Sequence, residues 1–111
     1  MTQDIIREVV EKLALEAKRV FGTDLKSVVL YGSCARGDYT TESDIDVMIL
    51  LDLPVEELED ARKKISDISS KLDWDYDVVI TPVLQSYQVF QKYISVSSFY
   101  QNVQKEGVLI A

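Results

Sequence analysis

Two aspartates, one residue apart, are the most chemically suggestive feature of the sequence. Asp44 and Asp46 begin an apolar run that ends at Leu51. Because side chains alternate faces along a strand, both carboxylates point the same way, with Cα atoms about 6.5–7 Å apart. Carboxylates on an interior strand are costly unless a cation compensates them. The pair therefore predicts a metal site at the beginning of a strand.

A turn of small residues precedes the acidic pair. The apolar strand 26–31 leads into Gly32-Ser33-Cys34-Ala35-Arg36-Gly37-Asp38, which predicts a short helical turn followed by a polar loop at 39–43. A glycine lets a ligand approach the backbone closely, and the N–H groups at such a turn can hold phosphate oxygens. The turn and the acids together predict a site for a metal ion and a phosphate chain.

Three better-known phosphate motifs do not fit. Gly32 and Gly37 have the P-loop spacing, but Asp38-Tyr39 stands where that motif needs Lys-Ser/Thr. The three glycines of the dinucleotide-binding fingerprint are absent. A strand-exit Asp-x-Asp motif has its apolar run before the first aspartate, whereas here the apolar run follows Asp46.

Composition narrows the function further. The 111 residues predict one domain, 1–111, and the net charge of −7 argues against a broad nucleic-acid-binding face. The chain has no histidine, so histidine-based nucleophile triads and metal sites are excluded. The single cysteine, Cys34, is interpreted as a small filler. With no internal disulfide, signal peptide or membrane-length apolar run, we expect a cytoplasmic protein.

The alternation of helical and strand patterns predicts a single α/β domain. We expect helices at 4–21, 54–72, 83–94 and 97–106, and strands at 26–31, 44–51, 73–80 and 108–110. Pro82 is expected to stop the third strand, and Gly22 and Gly107 to end the first and last helices. Core packing is expected for most of the later aromatic residues, namely Trp74, Tyr76, Tyr87, Phe90, Phe99 and Tyr100.

The sequence resembles the nucleotidyltransferase superfamily of DNA polymerase β, and within it the minimal nucleotidyltransferases, or MNT proteins. That family has an apolar strand, Gly-Ser, a gap, then Asp-x-Asp beginning the next strand. This chain has Gly32-Ser33-Cys34-Ala35-Arg36-Gly37 and then Ser43-Asp44-Ile45-Asp46, and its stretch 99–109 is similar to the end of MNT proteins. The resemblance covers nearly the whole chain and implies a small mixed sheet flanked by helices.

The resemblance also implies a catalytic set of three acids. Asp44, Asp46 and a third acid would hold two Mg²⁺ ions, about 3.5–4 Å apart. Asp77, which precedes an apolar run as the family's third acid does, is the first choice and could help take the acceptor's proton. Asp75, two residues earlier on the same predicted strand face, is the alternative, and Asp73 is interpreted as a helix-end or turn residue.

The nucleotide-binding residues follow from the same resemblance. Gly32 and Ser33 would hold the β- and γ-phosphates of ATP. Arg36 either contacts the phosphates or forms a structural salt bridge to Asp38 or Glu42. Ser43 is a further nucleotide-binding candidate, which orients its loop by hydrogen bonding or caps a turn.

MNT proteins resemble the antitoxin halves of two-gene modules whose toxin is a HEPN-domain ribonuclease. The resemblance implies Mg²⁺-dependent transfer of AMP from ATP to a tyrosine of such a toxin, in a hetero-oligomer without direct nucleic-acid or membrane contact. An acidic surface would suit a basic RNA-cleaving partner. Two alternatives stay open: an antitoxin that masks the HEPN protein without chemistry, and transfer to a small molecule. The acidic pair favours catalysis, and the lack of room for an acceptor domain disfavours a small-molecule acceptor.

Overall fold

A computed structural model describes residues 1–111. Its centre is a four-stranded sheet in the order β3-β2-β1-β4. The strands are β1 (Leu25–Tyr31), β2 (Ile45–Leu51), β3 (Ile80–Ser86) and β4 (Val108–Leu109). β1 is antiparallel to both β2 and β4, whereas β2 and β3 are parallel. The predicted mixed sheet in a single α/β domain is therefore confirmed.

Five helices flank the sheet. They are α1 (Gln3–Phe21), α2 (Ser33–Arg36), α3 (Leu58–Tyr76), α4 (Tyr87–Tyr93) and α5 (Ser98–Glu106), with short 3₁₀ turns at Gly22–Asp24 and Val55–Glu57. The Thr2 hydroxyl caps α1 by accepting from the Ile5 N–H. Gly22 ends α1 at a φ of 57°, as its position predicted. None of these helices is both long enough and apolar enough to cross a membrane.

The two faces of the sheet have separate apolar clusters. The larger cluster joins α1 and α3 to one face and includes Ile45, Val47, Ile49 and Leu51 of β2. The smaller one, which we call the α4–α5 cluster, consists of Met48, Leu50, Phe90 and Val103. The predicted alternation along β2 is thus confirmed. Asp46 shares a face with Met48 and therefore lies on the α4–α5 side.

The predicted strand at 73–80 is wrong. Residues 73–76 extend α3, and Asp77 ends that helix in the left-handed region at a φ of 52°. Tyr76 packs against the larger cluster, and its spacing of four from the buried Leu72 continues the inward face of the helix. This packing overrides the alternating pattern of acidic and large residues. Pro82 lies inside β3 rather than after it, because β3 is an edge strand and tolerates a missing N–H.

The displaced strand shortens the next helix. The helix expected at 83–94 is wrong for residues 83–86, which belong to β3, and α4 forms only from Tyr87. The last helix, its end at Gly107 and the terminal strand are confirmed. Phe90 is buried as expected, but Trp74 is 88% exposed near the end of α3.

Candidate active site

The two aspartates lie at the edge where β2 begins. Asp46 pairs with Tyr31 at the end of β1 and with Thr81 near the start of β3. The Thr81 hydroxyl donates to Asp44 Oδ2 at 3.3 Å. The acids therefore lie between the end of one neighbouring strand and the start of the other, and the predicted position at the beginning of a strand is confirmed.

Gly32 allows the Asp46 carboxylate to lie against the backbone of the turn. A Cβ placed on Gly32 would come within 2.5 Å of Asp46 Oδ2. Gly32 also has a φ of 75° and a ψ of −156°, a combination that residues with a side chain avoid. Close approach and backbone conformation thus both require glycine here.

The acidic pair is under electrostatic stress. Burial raises the pKa of Asp46, the nearby Asp44 raises it further, and Arg36 lowers it. Yet no lysine or arginine lies within 4.0 Å of either carboxylate, since the five ion pairs of the chain involve other residues. A bound cation would relieve this repulsion.

The donor set fits magnesium with a phosphate substrate. No histidine, cysteine or further carboxylate joins Asp44 and Asp46 in a group of three that could hold a metal ion. Mg²⁺ is commonly held by one or two carboxylates, with substrate phosphates and water completing its shell. Asp44 and Asp46 can supply such a pair of carboxylates.

The turn between β1 and β2 has free donors beside the acids. The Gly32 carbonyl accepts from the N–H groups of Ala35 and Arg36, both at 3.1 Å, and the Ser33 carbonyl accepts from Gly37 at 2.9 Å. The N–H groups of Ser33 and Cys34 take no part in these bonds and belong to the first turn of α2, where helices leave donors unpaired. They can therefore donate to an anion.

Cys34 fixes α2 to the beginning of β2. Its thiol is buried and donates to the Asp44 carbonyl oxygen at 3.4 Å. Burial raises the pKa of the thiol, and Asp46 raises it further, so the thiol stays protonated and unreactive at neutral pH. This placement agrees with a small filler.

Arg36 and Ser43 both make structural contacts. Arg36 Nε contacts Asp38 Oδ2 at 3.2 Å, and Nη1 contacts Glu106 Oε2 at 3.4 Å. Of the two salt bridges considered for Arg36, only that to Asp38 forms, and Glu106 of α5 is an additional partner. Ser43 Oγ accepts from the Thr40 N–H at 2.9 Å and so closes the loop before the acids.

The three later aspartates, Asp73, Asp75 and Asp77, lie at the end of α3 rather than on a strand. Asp77 is the C-terminal cap of α3 and is exposed, and Asp75 is exposed on α3 itself. Asp73 Oδ1 accepts from the Ile80 N–H at 2.8 Å, which agrees with its interpretation as a helix-end residue. Burial raises the pKa of Asp73, the Ile80 N–H lowers it and Asp44 raises it. The three do not share the single strand face that the alternation predicted.

Sequence reasoning missed two neighbours of the acids, Thr81 and Tyr31, and the ring of Phe99, which contacts Tyr31. Thr81 was missed because β3 was placed too early along the chain. Tyr31 and Phe99 form an edge-to-face pair with ring centroids 5.7 Å apart, and Tyr31 lies opposite Asp46. The β1 pattern could have identified Tyr31, since it is the last residue before Gly32, but nothing in the sequence places Phe99 beside it.

A mixed sheet with paired acids beside a Gly-Ser turn defines an α/β domain built to handle phosphorylated substrates. Residues 10–110 match the protein family described as a nucleotidyltransferase domain. That match spans nearly all of the chain, and the chain therefore belongs to the nucleotidyltransferase family, which confirms the prediction from its motifs.

Two proteins of the archaeon Methanocaldococcus jannaschii are similar in sequence. "Putative protein adenylyltransferase MJ0604" is 41% identical over 83 residues, which is 75% of either chain. "Putative protein adenylyltransferase MJ0141" is 35% identical over 104 residues, covering 93% of this chain and 96% of its own. The family assignment thus extends to relatives of almost the same length.

Solved structures show the same fold at lower identity. A Sulfolobus solfataricus protein described as "a putative nucleotidyltransferase" superposes with a TM-score of 0.68 at 20% identity, over 96% of this chain and 80% of the other. A toxin–antitoxin complex with AMP-PNP gives a TM-score of 0.60 at 22% identity, over 91% of this chain and 72% of the other. An MNT antitoxin with a tri-AMPylated HEPN toxin from Shewanella oneidensis gives a TM-score of 0.53 at 18% identity, over 95% of this chain and 71% of the other.

Proposed function

We propose that this chain transfers AMP from ATP to a tyrosine of a HEPN-type toxin and so acts as its antitoxin, with Mg²⁺ as cofactor. The observation that carries the proposal is the packing of Asp46 against Gly32. It joins the acidic pair to the turn whose N–H groups are free, so that one nucleoside triphosphate could contact both.

The proposed reaction is a single displacement at the α-phosphorus of ATP. A bond forms between the tyrosine oxygen and the α-phosphorus, the bond from that phosphorus to the bridging oxygen breaks, and pyrophosphate leaves. Bound Mg²⁺ would neutralise charge that develops on the phosphates. Asp44 and Asp46 would hold the metal, and the Gly32-Ser33 turn would hold the leaving phosphates.

Asp77 remains our proposed third acid and proton acceptor. The backbone brings its segment toward the pair, because the Ile45 N–H donates to the Val79 carbonyl at 2.8 Å and Asp77 lies only two residues before Val79. Ser43 and Asp77 also line the same shallow cleft. Among the later aspartates, Asp77 is the one that follows the helix and precedes the strand.

A protein acceptor is supported by two observations. Both sequence relatives are named as protein adenylyltransferases, and one structural neighbour is an MNT antitoxin beside an AMPylated HEPN toxin. The net charge of −7 would also favour association with a basic ribonuclease. A HEPN-type open reading frame beside the gene for this chain is the first thing to look for.

The decisive experiment weighs the acceptor. The full chain is incubated with the purified HEPN protein encoded beside it, ATP and Mg²⁺, and the HEPN protein is analysed by intact mass spectrometry. We expect added AMP with the wild type and none with Asp44→Asn plus Asp46→Asn. No added mass with the wild type, or equal addition by the double variant, would refute AMP transfer.

The same variant separates catalysis from masking. If the double variant still binds the HEPN protein and fully blocks its ribonuclease activity, neutralisation needs no chemistry and the chain is a binding antitoxin. If the wild type modifies only a small molecule supplied in place of the HEPN protein, the protein-acceptor proposal fails.

A further inference from the structure

A half-exposed aromatic ring contacts the strand neighbour of Asp46 and has no role assigned so far. Phe99 is near the start of α5 and is 44% exposed. Its ring meets that of Tyr31 at 5.7 Å with an interplanar angle of 75°. Tyr31 in turn lies opposite Asp46 on the neighbouring strand. Phe99, Tyr31 and Asp46 therefore follow one another across the same face of the sheet.

Contacts with neighbouring rings hold the Phe99 side chain in place. Its ring contacts that of Tyr100 at 5.9 Å, and Tyr100 contacts the buried Phe90 at 4.9 Å. The Tyr100 hydroxyl accepts from Gln85 Nε2 at 2.6 Å, and Ser97 caps the helix by accepting from the Tyr100 N–H. One side of the Phe99 ring is thus held by the fold while the rest faces solvent.

Near Phe99, the sheet face changes from buried to partly exposed. The α4–α5 cluster covers β2 from Met48 onward, and two residues earlier Asp46 is only partly covered. Phe99 lies at the boundary between the covered and open parts. An aromatic ring exposed at such a boundary offers an apolar face next to the strand neighbour of Asp46.

We propose that Phe99, supported by Tyr31, is the surface on which the base of the nucleotide stacks. This rests on the proposed function and extends it to the base. Because Tyr31 is joined directly to Gly32, the aromatic pair and the phosphate-binding turn are adjacent along the chain. That continuity favours the nucleotide over the acceptor as the occupant.

Stacking on an aromatic ring depends on the area of the base more than on its hydrogen-bonding groups. The site should therefore prefer ATP and GTP to CTP and UTP and discriminate only weakly between the two purines. No base-specific hydrogen-bonding group is needed for this selectivity.

The test compares a ligand that has a base with one that lacks it. Binding of ATP and of inorganic tripolyphosphate to the full chain is measured by titration calorimetry in Mg²⁺. For Phe99→Ala we expect ATP affinity to fall about tenfold, the loss typical of one stacked base, while tripolyphosphate affinity is unchanged. Phe99→Tyr should retain wild-type affinity for both. Tyr93→Ala is the matched control, because Tyr93 is 45% exposed on α4, and it should alter neither affinity.

Phe99→Leu keeps apolar packing without an aromatic face, and it serves as the second variant if the alanine variant unfolds. It should lose ATP affinity as the alanine variant does. Wild-type ATP affinity in Phe99→Leu or Phe99→Ala would overturn the inference alone, as would an equal loss of tripolyphosphate affinity. A wild-type chain that binds neither ligand would overturn the proposed function, and this inference with it.

Discussion

Asp46 Oδ2 occupies space that any side chain at Gly32 would need, since a Cβ there would approach it to 2.5 Å. Gly32 directly follows β1 and Asp46 lies in β2, so their contact links the turn after β1 to the beginning of β2. The Gly32-Ser33 turn and the acidic pair are consequently a single unit, and a change at one must move the other.

Gly32→Ala should damage stability and binding together. The backbone at Gly32 is unfavourable for alanine, which costs about 1–3 kcal/mol, and the new Cβ would displace Asp46. We expect lower stability in urea and loss of measurable ATP binding. Gly37→Asn is the control, because Gly37 has a left-handed conformation that asparagine tolerates and no close neighbour. Near-wild-type ATP affinity in Gly32→Ala would contradict the coupling.

Asp46→Asn should stabilise the metal-free protein at neutral pH. Because the pKa of Asp46 in the folded chain is raised above its usual value of 3.8, wild-type stability falls as pH rises from that value through the folded pKa. Asparagine removes that penalty, so in EDTA the variant should be more stable than the wild type at pH 7 and differ little from it at pH 3. Thermal unfolding at both pH values measures the difference.

Mg²⁺ should make the wild type more stable than the Asp46→Asn variant, the reverse of their order in EDTA. We expect Mg²⁺ to bind the folded wild type and raise its Tm, whereas the variant lacks one of the two carboxylates and should respond weakly. A variant less stable than wild type in EDTA at pH 7 would show that repulsion between Asp44 and Asp46 does not destabilise the metal-free protein.

The site residues that are close together in the sequence could be predicted, and those from elements distant in the sequence could not. Gly32, Asp44 and Asp46 lie within one strand–turn–strand unit, where spacing and side-chain alternation determine the geometry. The face of Asp77 depended on whether 73–76 continue a helix, which the packing of Tyr76 on the larger cluster decides. Residues that reach the site from separate elements carry no local signal. Phe99, on α5, is one of them.

Asp77→Asn should reduce AMP transfer about a hundredfold, the usual contribution of a positioned acid or base, whereas Asp75→Asn should change it little. Asparagine is well suited to this comparison, because Asp77 has a φ of 52° that asparagine accepts without strain. Stability in urea should therefore stay within about 0.5 kcal/mol of wild type for both variants. Rates of AMP addition to the HEPN protein, followed by mass spectrometry, give the ranking. The reverse order would identify Asp75 as the third acid.

Arg36 has two candidate roles that one pair of variants can separate. As a link between α2 and Glu106 of α5, it makes only exposed ion pairs, whose loss changes stability little. Glu106→Gln removes the longer ion pair but leaves the guanidinium in place, so it should lower stability slightly and leave ATP affinity unchanged. Arg36→Gln should cause a similarly small loss of stability but weaken ATP binding, because the guanidinium already lowers the pKa of Asp46 and would attract phosphates bound next to that carboxylate. Equal ATP affinity in the two variants would assign Arg36 to the α2–α5 link alone.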